Sequence, residues 1–371
     1  MMTAGDETQA TPQHLDALTG IRGIAAWMVV LYHIRLSLAA LLPGWTIAVF
    51  ARGYLAVDLF FMLSGFVLWY NYADRLRERN LVAAGSFMWR RIARIWPLHL
   101  FILAVFSALV AVFAATGRNT GGYPLGELPL HVLLLQNWGW TGALAWNHPA
   151  WSISTELAAY LLFPLAVGAA RWEHLPSMAL AGLAAVLLFA VHMLFALNGD
   201  TGLGDEIPRL GLWRCLLEFA LGNLLCIAWQ KWRGSGYIAG AASLACGLAL
   251  ATGYILALPE TAFVPLTFAT GLLALASGKG RLTSLLGGTT LRYLGEISYS
   301  TYLAHFLLFI LFKLLFVDAS LQLGWAGFAG FLALVLAASA VLYHGVEKPA
   351  QRWLNRHPPR IPYRLRALPA E

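Results

Sequence analysis

Residues 97–116, PLHLFILAVFSALVAVFAAT, run for twenty positions without a lysine, arginine, aspartate or glutamate. A helix of that length rises about 30 Å, the thickness of a bilayer's hydrocarbon core. The same ruler, moved outward along the chain, finds nine further runs at about 20–42, 53–72, 149–170, 176–197, 210–230, 237–257, 262–277, 296–316 and 324–344. The run at 262–277 is short for a span, and 128–138 (LPLHVLLLQNW) is too brief to cross, so it reads as a half-helix or interfacial piece. These runs are rich in Leu and Ala and lack strand-like alternation, which argues against a barrel.

Composition agrees. Of 371 residues, 59% are hydrophobic and only 12% charged, against about 25% charged in an average soluble domain. Mean hydropathy is +0.67. Too little polar surface remains to coat a soluble globule, and disorder would need the opposite balance. The expected fold is an all-α integral membrane bundle of about ten transmembrane helices. A polar segment, 1–19, precedes the membrane domain, 20–344, and a basic tail, 345–371, follows it. The N-terminus lacks the basic start of a signal peptide, so the first apolar run is expected to stay as a helix.

The net charge of +7 is placed as a topology signal. Arg75, Arg77, Arg79, Arg90, Arg91 and Arg94 fall between the second and third runs, and Lys231, Arg233, Lys279, Arg281 and Arg292 fall on the same side. The tail adds Lys348, Arg352, Arg356, Arg360, Arg364 and Arg366, while the opposite connections hold only Arg52, Arg118 and Arg209. The positive-inside bias puts both termini in the cytoplasm, and nothing is left over to suggest nucleic acid. Cys215, Cys226 and Cys246 lie in apolar runs without metal-ligand spacing, so neither a metal site nor a disulfide framework is expected. The long outer connection, 117–148, carries Gly, Asn and Trp with little charge, and loops of that length are commonly functional or mobile.

Ionisable groups inside a bilayer are costly, so each is a functional candidate. In LDALTGIRGIAAWMVVLYH (15–33), Arg22 and His33 are eleven residues apart, which places them on one helix face about 16 Å apart. One long ligand passing both groups would suit that spacing; a membrane anchor and a buried, hydrogen-bonded histidine would also produce it. Asp58 in GYLAVDLFFMLSGF and Glu156 in PAWSISTELAAYLLFP both enter from the outer side. Either carboxylate is a candidate to orient His33 as a general base, or to form a structural ion pair. In FMWRRIARIWPLH (87–99), Arg91 and Arg94 share a helix face and can grip phosphate oxygens, or serve as snorkelling anchors. Arg214 and Glu218 at i, i+4 are expected to pair with each other, and Glu347 with an arginine at the inner end. His305 lies mid-membrane near Tyr299 and Tyr302, and Ser64-Gly65 suits close helix packing.

These segments, with FFMLSGFVL (60–68), WSISTELAAYLLFP (151–164), ISYSTYLAHF (297–306) and VEKPAQRW (346–353), follow one another in an order that resembles the acyltransferase 3 family over roughly residues 15–353. The family's frequent double acid after the WSxS segment is here Glu156-Leu157, leaving one carboxylate. The resemblance implies transfer of an acyl group, usually acetyl, from cytoplasmic acyl-CoA to a glycan or other hydroxylated acceptor, in a bacterial inner membrane. It also implies an essential role for His33, as general base or as a transient acyl carrier, and critical roles for Arg22, Arg91 and Arg94, which would hold the coenzyme A phosphates. The competing reading is a transporter or flippase for a lipid-linked or acyl substrate. Against it, no inverted halves or matched broken helices are evident. Acceptor identity and oligomeric state are not readable from the residues.

Overall fold

A computed structural model describes residues 13–77, 81–317 and 321–359. Residues 1–12, 78–80, 318–320 and 360–371, with Arg79, Arg360, Arg364 and Arg366 among them, lie outside the described residues. The described chain forms helices α1 (Gln13–Ile34), α2 (Gly44–Ala51), α3 (Ala56–Leu76), α4 (Leu81–Ala115), α5 (Leu128–Leu133), α6 (Ala150–Ala169), α7 (Ser177–Ala196) and α8 (Ile207–Trp232). They are followed by α9 (Ile238–Ile255), α10 (Glu260–Ser277), α11 (Arg281–Leu286), α12 (Thr289–Glu296), α13 (Ser298–Phe316), α14 (Trp325–Leu342) and α15 (Lys348–Arg356). Among the described residues there is no strand.

Ten of these stretches are long and apolar enough to cross a bilayer, and each overlaps one run read from the sequence. The protein is an all-α, multi-pass membrane bundle. Outward-facing side chains such as Leu165, Phe189, Leu248 and Val341 are well exposed, as lipid-facing residues must be.

Two boundaries differ from the hydropathy reading. α4 begins at Leu81 instead of 97 and spans 35 residues with Pro97 inside, about 52 Å at helical rise. Hydropathy ends where the arginines begin, but backbone hydrogen bonding continues through them, so Arg90, Arg91 and Arg94 stand on a helix that projects from the apolar layer. The last span likewise continues beyond 344, through a π-helical turn at Tyr343–Glu347 into α15.

The crossing of α3 with α8 holds the centre together. A Cβ on Gly65 would sit on the carbonyl oxygen of Phe219, and one on Gly222 on that of Met62. The two backbones touch, which is how small residues drive helix association in lipid. Ser64-Gly65 thus serves close packing, while Ser64 also borders a cavity.

The 117–148 connection is packed, not free. Trp146 is fully buried and its indole N–H donates to Pro124 O at 3.1 Å. The Gln136 amide donates to Ala150 O (3.2 Å), Asn137 to Ile207 O (3.1 Å) and Asn147 to Leu303 O (2.9 Å). These bonds tie the connection to α6, α8 and α13, and α5 is the short helical piece expected near 128–138.

Candidate active site

α1 carries both groups singled out in its sequence. The imidazole Nδ1 of His33 lies 2.9 Å from Val29 O on its own helix and 3.1 Å from Nε2 of His305 on α13. His305 Nδ1 lies 3.2 Å from Thr301 O. Carbonyl oxygens only accept, so each Nδ1 carries a proton. His305 Nε2 is then a lone pair, and the single His33 Nδ1–H is shared between it and Val29 O, leaving His33 Nε2 as an unprotonated base. A second group that fixes the tautomer of a catalytic histidine is the arrangement acid–base chemistry requires. Here the second group is an imidazole, not a carboxylate.

His33 borders a cavity of about 260 Å³, shared with Tyr32, Tyr54, His148, Trp151, Arg214 and Tyr302. Its ring meets Tyr32 edge-on at 5.0 Å and Phe306 at 5.5 Å, and His148 stacks on Phe306 at 4.7 Å. Burial lowers the His148 imidazole pKa from its ordinary value.

Neither carboxylate expected beside His33 serves it. Asp58 is fully buried, and its two oxygens accept from Arg214 Nε at 2.7 Å and Nη2 at 2.6 Å. Arg214 Nη1 donates to Leu203 O at 2.6 Å. The reading of Asp58 as the partner of His33 is therefore corrected: a buried carboxylate takes the guanidinium fork, which satisfies both oxygens at once. The expected Arg214–Glu218 pair forms no hydrogen bond: Arg214 directs its donors to Asp58 and Leu203, and Glu218 faces it through charge alone.

Glu156 is placed elsewhere as well. It borders a separate cavity of about 160 Å³ together with Arg22, Ser64, Arg91, Arg94 and Tyr160. The three arginines named from the sequence thus meet in one cavity, with Glu156 as its acid. Their partners differ. Arg94 is ion-paired with Glu347, which also accepts from Ser300 Oγ at 2.7 Å, so Glu347 does find an arginine. Arg91 donates to the Tyr72 hydroxyl at 3.1 Å, and its buried Nε has no partner. Arg22 makes no hydrogen bond among the described residues; its electrostatic neighbours are Glu156, Tyr160, Arg91 and Tyr343. Free guanidinium donors in a common wall suit an anion.

Val57 and Tyr302 border both cavities. The Tyr302 hydroxyl shares a hydrogen bond with Ser152 Oγ at 2.8 Å and lies 3.1 Å from Pro149 O. One aromatic side chain therefore stands between the arginine cavity and the histidine cavity. Sequence reasoning noted His305 and Tyr302 without assigning them to the site. Their signal was the polar cluster in ISYSTYLAHF, polar positions kept inside an apolar span.

Comparison with known proteins identifies the family. A family model described as an acyltransferase domain, that of acyltransferase 3, matches residues 15–344. The chain is 32% identical to acyltransferase MdmB of Streptomyces mycarofaciens over 93% of its own length and 94% of that protein. It is 34% identical to protein 2 in the picA locus of Rhizobium radiobacter, over 44% of this chain and 85% of that one. It is 23% identical to O-acetyltransferase OatA of Staphylococcus aureus over 60% of this chain, a match that covers 36% of the relative. No solved structure matches. The chain belongs to the acyltransferase 3 family, and it is a membrane-embedded acyltransferase.

Proposed function

We propose that this enzyme moves an acyl group, acetyl in the simplest case, from acyl-CoA to a hydroxyl of a glycan or related acceptor. The donor enters from the basic, cytoplasmic end of the bundle. Its phosphates rest on Arg22, which makes no hydrogen bond among the described residues, and on Arg91, whose Nε is unpartnered, while Arg94 is held in the same wall by Glu347. The thioester is presented past Tyr302 toward His33. His33 Nε2 removes the acceptor hydroxyl proton as that oxygen attacks the thioester carbonyl. The C–S bond then breaks, and the departing thiolate takes the proton back from His33, so that the products are the ester and free coenzyme A thiol.

The observation that carries this reading is the His33–His305 hydrogen bond, which leaves His33 Nε2 as a lone pair beside the cavity that His33 borders. The acetyl group and the glycan acceptor rest on family resemblance, to which the O-acetyltransferase relative adds weight. A bacterial inner membrane, with both termini inside, follows from the same resemblance and the arginine bias.

The test is acetyl-CoA binding by the purified full chain in detergent, with acceptor-dependent thiol release measured alongside. Arg22→Ala and Arg91→Ala should each weaken binding roughly tenfold, the scale of one charge-assisted contact, and Arg94→Ala by less. His33→Ala should bind normally and release thiol roughly 10²- to 10⁴-fold more slowly. A folded wild type that fails to bind acetyl-CoA would refute the assigned donor.

A further inference from the structure

We propose that an anionic membrane phospholipid is bound at a lateral slot between α1, α3 and α10, with a hydrocarbon chain in the slot and its phosphate on Arg52. This inference does not depend on the donor or acceptor named above. The slot is a cavity of about 730 Å³, the roomiest of those described, and its walls include Ile24, Met28, Leu59, Phe263 and Val264. Along α1 it runs from Met28 down to Ile21, seven residues or about 10 Å of helix. Tyr254 and Leu250 border it while remaining well exposed, so it opens toward the lipid side of the bundle. An apolar void of this size in a bilayer is filled by hydrocarbon, because an empty one forfeits the dispersion contacts of its whole lining.

The mouth supplies the charge. Glu260 is the first residue of α10, and Arg52 follows directly after α2, so both stand at a membrane end of their spans, the depth of lipid headgroups. Arg52 Nη1 pairs with Glu260, whose second carboxylate oxygen accepts from the Tyr54 hydroxyl. The Nη2 and Nε groups of Arg52 have no partner among the described residues, and its side chain is 65% exposed against 12% for Glu260. A guanidinium with one edge anchored and the other open above an apolar slot matches a phosphate above an acyl chain. Tyr54 also borders the His33 cavity, with its ring 5.5 Å from Tyr32, so the lipid headgroup would lie one side chain from that cavity.

The experiment uses the full chain in nanodiscs, with phosphatidylglycerol or phosphatidylcholine carrying a mid-chain diazirine as probes. Phosphatidylglycerol is expected to form saturable adducts on α1 near Met28 and on α10 near Phe263, displaced by unlabelled phosphatidylglycerol more readily than by phosphatidylcholine. Arg52→Gln should weaken that preference about fivefold, the scale of one arginine at a membrane surface. Glu260→Gln, which frees the guanidinium, should strengthen it, an effect no folding defect would produce. Ala25→Phe, which fills the slot, should abolish the adducts of both lipids. Adducts spread over all outward faces, equal competition by both lipids, or a preference unmoved by Arg52→Gln would each overturn the proposal.

Discussion

His33 Nδ1 and His305 Nε2 lie 3.1 Å apart although 272 positions separate them in the chain. Because His305 Nδ1 is turned to a carbonyl, the bond has one direction only, from His33 to His305. The histidine that would do chemistry is therefore oriented by a neutral ring, which avoids a second buried charge in the apolar layer.

This relationship separates His33 from its partner experimentally. His33→Ala is expected to lower turnover by roughly 10²- to 10⁴-fold, the usual share of a general base. His305→Leu should lower it less, and His305→Gln, whose side-chain oxygen can accept the same hydrogen bond, should restore part of the loss. Measured kcat for the three variants at equal expression is the check; equal loss in the Leu and Gln variants would show that orientation is not what His305 provides.

The Asp58–Arg214 pair should behave as a structural element. Asp58→Asn or Arg214→Met leaves a buried group uncompensated and is expected to cost about 3–5 kcal/mol of stability. Replacing both, Asp58→Leu with Arg214→Met, should recover most of that cost. Thermal melts in detergent of the singles and the double decide it, and loss of activity without loss of stability in Asp58→Asn would return that carboxylate to the chemistry.

Two glycines should respond with opposite signs. Gly222→Ala forces its new Cβ onto the Met62 carbonyl, and overpacking of this kind costs about 1–3 kcal/mol. Gly247 on α9 has open space around it, so Gly247→Ala should be neutral or stabilising by up to about 1 kcal/mol from helix propensity alone. Paired melting curves test both, and equal effects would mean that the α3–α8 crossing is looser than described.

The 117–148 connection should loosen in acid. Burial pushes the His131 imidazole down to about 4, below the ordinary value of about 6.5. A group whose folded pKa is lowered binds protons more readily when the segment is open, so closure is fully favoured above about pH 6.5 and is lost as pH falls toward 4. Hydrogen exchange of residues 117–148 at pH 7.5 and pH 5 should show the difference, and His131→Gln should shrink it.

How far the site could be read depended on the kind of question. Arg91 and Arg94 were read as a phosphate-gripping pair from helix spacing, Arg22 joined them through the family resemblance, and all three border one cavity. That Arg94 would be engaged was only half visible: Glu347 was expected to take an arginine, but nothing in its neighbourhood said which one. Asp58 and Glu156 looked equivalent, each a lone acid a turn or two into a span. They diverge because Arg214 on α8 lies against the first, and the arginine cavity against the second.

The sequence by itself determined the class of fold and the polar residues that matter, because both are local properties. A bilayer's thickness sets how many consecutive apolar residues make a span, and the cost of burying charge marks each polar exception within it. The partnerships His33–His305, Asp58–Arg214 and Arg94–Glu347 were decided by tertiary structure alone. Each joins side chains on different helices, and which faces meet depends on crossings such as that of α3 with α8, where backbone touches backbone. No periodicity within one helix carries that information.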